Sequence, residues 1–179
     1  MPFDFPRFQQ QLTQATQAAF QELLAAHRAE GFYSFALYSD EGALTVCPAA
    51  NSLAHLAAQP PEDQLYAKFE PAEWAYERCG AEAQFEELNR QLRTHVLGED
   101  LAEEAFEHFR QQLYTTCVAV LAELRELRFF DQAAGREVLL LFSVSDSDTP
   151  AAELAQLVKQ LNHNAYCDEY LAWLASWET

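Results

Sequence analysis

The run Val138-Leu-Leu-Leu-Phe-Ser-Val144 constrains the fold more than any other stretch of the chain. A strand presents successive side chains to opposite faces of its sheet, and here both sets are apolar. The run therefore predicts an interior strand near 138–144. Asp146-Ser-Asp-Thr149 closes it, with Thr149 as an N-cap and Pro150 opening a helix that carries Leu154, Leu157, Val158 and Leu161.

A second pair of strands is read from Tyr33-Ser-Phe-Ala-Leu-Tyr38 and Ala43-Leu-Thr-Val-Cys47. Between them Ser39-Asp-Glu-Gly42 predicts a type I turn with Gly42 left-handed, hence a β-hairpin, and Pro48 is expected to stop its second strand. Alternation of Leu65, Ala67 and Phe69 with Tyr66, Lys68 and Glu70 suggests a third strand. The helices are marked by spacings of three and four. Phe5, Phe8, Leu12, Ala15, Ala19, Phe20, Leu23 and Leu24 form one stripe, with Pro6 in the first turn and Gly31 after the end. A short Ala-rich helix is expected over 50–58, and another carries Phe85, Leu88, Leu92 and Val96. Asp100 and Glu103 look like a capping box for the longest stripe, from Phe106 to Leu124. The last helix runs from about Tyr166 to Trp177. Together these elements predict a single α+β domain over 1–179, with a small, largely antiparallel sheet packed with several helices.

Charge narrows the choice of partners. The chain has 179 residues with 11 Lys+Arg against 28 Asp+Glu, a formal net charge of −17, yet half of it is hydrophobic. That apolar content is enough for a core, and the charge repels phosphate backbones, so nucleic acid is not expected as a ligand. A basic protein is the natural complement. Between Arg28 and Lys68 there is no base, and after Arg136 there is only Lys159. If those regions meet, they make a negative face. No stretch reads as a secretory signal or a bilayer span, and Cys47, Cys79, Cys117 and Cys167 lack a C-x-x-C pair, so a cytoplasmic setting without membrane contact is expected.

Motifs for chemistry are sparse. Glu104 and His108 share a helix face, but the spacing is not the Glu-x-x-His of dinuclear carboxylate sites, and a solvated acidic face explains it. The five glycines are isolated, which removes a phosphate-cradling loop, and there is no G-x-S-x-G elbow. No cofactor and no metal are expected. Cys47, after a strand, is read as a buried thiol unless a histidine lies beside it. Trp74, Tyr76, Trp173 and Trp177 are core residues or the lining of a pocket or interface. The candidate partner-binding residues are Asp40, Glu41, Asp146 and Asp148, because loops at strand ends are where a rigid scaffold exposes side chains. The same carboxylates, with Cys47, are the only foothold for an enzyme of small molecules.

Two segments, Phe35-Ala-Leu-Tyr-Ser-Asp-Glu-Gly-Ala-Leu-Thr-Val-Cys-Pro-Ala-Ala-Asn51 and Leu140-Leu-Phe-Ser-Val-Ser-Asp-Ser-Asp148, are recognisable together with Pro71-Ala-Glu-Trp74 and the aromatic first helix. With them the chain resembles the bacterial domain-of-unknown-function family 4303 over nearly its whole length. The resemblance carries no catalytic residues. It implies a small bacterial protein of the kind found among toxin and immunity genes, and so a non-enzymatic module that neutralises a toxin.

Overall fold

Asp4 accepts the Arg7 amide on its side chain at 3.1 Å and Pro6 occupies the first turn, so the first helix, α1 (Phe5–Ala26), starts where its apolar stripe starts. The computed structural model describes residues 2–98, 101–145 and 149–178. After α1 come β1 (Phe32–Asp40), β2 (Val46–Ser52), two short helices α2 (Leu53–Ala58) and α3 (Gln64–Phe69), a 3₁₀ turn (Pro71–Glu73) and β3 (Tyr76–Glu77). Then follow α4 (Glu82–Gly98), α5 (Glu103–Glu126), α6 (Phe129–Ala134), β4 (Leu139–Ser145), α7 (Ala151–Leu161), α8 (Ala165–Ala175) and a final 3₁₀ turn (Ser176–Glu178). This is an α+β fold.

The sheet order is β3-β2-β1-β4. β2 pairs antiparallel with β1 and β3, while β4 runs parallel to β1, so the sheet is mixed. β4 is thus an edge strand by hydrogen bonding, although its sequence predicted an interior one. Both of its faces are covered all the same. Leu140 and Phe142 join the apolar layer made with α1, α4 and α5, whereas Leu139 and Leu141 join the layer made with Phe69 and α8. Two apolar faces report covering layers, not neighbouring strands.

Other local expectations change as well. Pro48 does not stop β2; it lies inside it, opposite Leu37. An antiparallel residue turns its N–H and C=O to the same side, and the Pro48 carbonyl faces β3, accepting the Arg78 amide at 2.8 Å. The missing N–H is therefore not needed by β1. In the hairpin turn the left-handed residue is Ala43 (φ 53°), not Gly42. Gly42 is needed for space instead, since a Cβ there would lie 2.9 Å from the Asp40 carboxylate. Residues 64–69 form α3, not a strand, with Ala67 and Phe69 buried but Leu65 half exposed. Six residues are too few to separate the two periodicities, and Asp63 and Tyr66 carbonyls accept the Ala67 and Glu70 amides. The third strand comes later, as β3. Of the short Ala-rich helix only 53–58 is helical, because 50–52 complete β2. Asp100 lies outside the described residues, and Ala102 stands at the N-cap of α5. Among the described residues no helix is long and apolar enough to cross a membrane.

Candidate functional site

Because β1 and β4 are parallel neighbours, their C-terminal ends lie side by side, with Asp40 opposite Ser145. Of the acidic candidates, Asp40 ends β1 and Glu41 follows it in the hairpin turn. Asp40, however, turns inward on its own loop: its carboxylate accepts the amides of Leu44 and Thr45 at 3.2 and 2.7 Å and the Thr45 hydroxyl at 2.5 Å. Its carbonyl accepts the Tyr114 hydroxyl at 2.9 Å. Glu41 is exposed, and its carbonyl accepts Arg110, which also pairs with Glu107. Asp146 and Asp148 lie outside the described residues. Neither Asp40 nor Glu41 is among the described residues that line the groove beside them.

What opens beside these strand ends is a groove of about 970 Å³. Its floor is the C-terminal half of β4, from Leu141 to Ser145, with Tyr38 of β1. One wall comes from α5 and α7, through Tyr114, Val118, Glu153 and Leu157; the other comes from Phe69, Glu70, Tyr170, Trp173 and Trp177. Buried and part-buried hydrogen bonds fix the second wall. Asn51 on β2 donates to the Tyr33 hydroxyl and the Ala67 carbonyl and accepts the Ala75 amide, while the Tyr33 hydroxyl donates to the Lys68 carbonyl. Asn51 thereby pins both α3 and the segment after the 3₁₀ turn to the sheet. Trp173 packs on Phe69, Tyr170 and Trp177 with ring centroids 5.4, 5.3 and 4.7 Å away, and Trp177 remains 52 % exposed at the rim.

The groove is acidic and aromatic at once. Among the described residues, Glu70, Glu77 and Glu153 line it and no Lys or Arg does. Burial pushes the Glu70 carboxyl above the ordinary carboxylate range, and nearby Glu73 adds to the shift against the Ala72 amide that Glu70 accepts. The Tyr38 hydroxyl donates to Glu77 at 2.7 Å, and burial together with that bond raises its phenol well above normal. Burial does the same to Tyr170. Carboxylates beside ring faces suit a cation.

The remaining candidates fall elsewhere. Cys47 is buried, burial raises its thiol, and its contacts are with Tyr38 and the Asn89 amide at 4.0 Å, not with a histidine. All four cysteines are free, with Cys79 partly exposed and the others buried. Glu104 and His108 are exposed on α5, and among the described residues no group of three or more His, Cys, Asp or Glu is placed to hold a metal ion. Trp74 is buried, and Tyr76 is tied up by donating to Glu30 at 2.7 Å. Sequence reasoning missed Glu70, Glu77 and Glu153 as a set. They lie on three separate elements, and only the topology gathers them.

The topology and the strand-end segments can be set beside known families. A family model described as a domain of unknown function, DUF4303, matches residues 12–163. The chain belongs to this family. No curated protein and no solved structure matches it. The DUF4303 match takes in the whole sheet, α5 and α7, and so the groove floor and one wall. Tyr170, Trp173 and Trp177 lie beyond it.

Proposed function

We propose that this DUF4303 chain is a non-enzymatic protein-binding module, in character a bacterial toxin-neutralising immunity protein, acting in the cytoplasm on a basic protein partner. The observation that carries the reading is the groove, which among the described residues is lined by three carboxylates and an aromatic wall and by no Lys or Arg. Such a surface attracts a cationic partner from a distance through its charge and holds it through a few ring contacts. It repels phosphate, which favours a protein over nucleic acid. The free cysteines suit a reducing compartment. In this reading Asp40, Glu41, Asp146 and Asp148 contribute to partner binding through their charge on encounter. A small-molecule enzyme built on these four needs carboxylates that converge, and both oxygens of Asp40 are already engaged by Leu44 and Thr45.

The test is affinity capture in the native host, followed by association kinetics of the captured protein at two salt concentrations. The reading expects a basic partner whose on-rate falls about tenfold or more as salt rises from low to physiological and falls again when Glu70, Glu77 and Glu153 are changed to Gln. Turnover of a small molecule in the groove, with no protein captured, overturns it.

A further inference from the structure

The groove floor carries an asymmetry that charge alone does not use. β4 has a strand neighbour on one side only. In a parallel ladder alternate residues turn both backbone groups toward the neighbour, and the residues between turn them away. Leu140 turns away, and there Asn162 imitates a strand: its Oδ1 accepts the Leu140 N–H at 2.8 Å and its Nδ2 donates to the Leu140 carbonyl at 2.7 Å. By the same alternation Phe142 and Val144 turn their N–H and C=O groups outward. Among the described residues neither finds a hydrogen-bond partner on that side, and both line the groove. Phe142 is only 6 % exposed, so the groove is the route by which a partner reaches its backbone.

We infer that the outer edge of β4 at Phe142 and Val144 is the docking strand for an extended segment of the partner protein that bears Lys or Arg at alternate positions. This rests on the protein-binding reading above and adds to it the mode of binding and the motif. An added strand sends alternate side chains to opposite faces of the sheet. On the face of Leu141 and Ser143 they enter the half of the groove bounded by Glu70, Tyr170 and Trp173, where carboxylate and ring faces select a cation. On the face of Phe142 they meet Tyr114 and Val118 of α5, which select small apolar or hydroxyl side chains. A second copy of the chain is a poor occupant, since net charge −17 opposes self-association.

The experiment uses the full chain and a pooled library of blocked heptapeptides with Lys or Arg at alternate positions and Ala, Val, Ser or Thr between. Amide spectra report where the retained peptides bind. The inference expects exchange protection of the Phe142 and Val144 amides, loss of at least about tenfold in affinity when the peptide's alternate backbone nitrogens are methylated, and no retention of a twin library with Glu in place of Lys and Arg. Val144→Pro, which removes an outward N–H and leaves the pairing with β1 in place, abolishes binding while its thermal unfolding stays cooperative. Glu70→Gln keeps the edge and weakens binding. If no peptide is retained, or if methylated peptides bind as well as their parents, strand pairing at β4 is wrong; a basic protein captured in the native host then still supports the protein-binding reading on its own.

Discussion

The two halves of the outer edge of β4 are finished differently. Over Val138–Leu140 the edge is closed by the chain itself, with Asn162 on both backbone groups of Leu140 and Asn164 donating to the Val138 carbonyl at 3.3 Å. Over Phe142–Val144, two to four residues beyond Leu140, the same strand meets a groove. The difference comes from α7. It runs back along the strand and brings Asn162 level with Leu140, while its first turns contribute Glu153, Leu154 and Leu157 to the groove walls. An edge strand is a liability that proteins cover or blunt. One half of this edge is closed by the chain and the other is flanked by acid and rings, which is the contrast on which the proposed docking strand rests.

Breaking the closed half gives the largest effect. Asn162→Ala leaves the Leu140 N–H and C=O unpaired in a buried setting and also removes the bond to the Val158 carbonyl, so a loss of about 2–4 kcal/mol is expected in denaturant unfolding. A loss below about 0.5 kcal/mol says that Asn162 does not close the edge. The matching change in the open half, Val144→Pro, removes a donor that has no hydrogen-bond partner among the described residues and is expected to cost about 1 kcal/mol or less in the same assay, most of it from packing.

Glu70 sharpens the comparison through pH. Burial raises its folded-state pKa above the unfolded value, so the folded chain holds the proton more tightly. Its sign follows from linkage: Glu70 favours folding at pH below both values, and that contribution is lost as pH rises through the folded pKa. Glu70→Gln is therefore expected to raise stability at neutral pH by less than about 1 kcal/mol and to lose that advantage in acid, read from melts across the range. On the proposed reading a cation in the groove favours the ionised Glu70, so binding of a basic partner is expected to strengthen as pH rises through the same interval.

Much of this layout is legible in the residues, for physical reasons that also explain the exceptions. Long helices announce themselves because a stripe such as Phe109, Leu113, Cys117, Val120, Leu121 and Leu124 repeats over many turns, and all of these are buried on α5. The hairpin register follows from its aromatic and apolar strands. α3 was misread because a single turn or two of helix matches a short alternation. Pro48 was misread because whether a proline ends a strand depends on which neighbour its nitrogen faces, and that is set by β3. The candidate site was the least legible part. Asp40 looks like an exposed strand-end acid, yet its oxygens form the hairpin turn. Trp173 and Trp177 read as possible lining from the sequence, but Glu70, Glu77 and Glu153 become neighbours of one groove only after β4 is placed parallel to β1.

Residue-resolved amide hydrogen exchange on the free chain tests the contrast between the two halves most directly. The Leu140 amide, held by Asn162, is expected to exchange only through large-scale unfolding, whereas the Phe142 and Val144 amides, on the same strand but without partners on their outward side, are expected to exchange at least about 100-fold faster. Phe142 and Val144 amides as slow as that of Leu140 would mean that the edge is closed along its whole length, and would contradict a docking strand there.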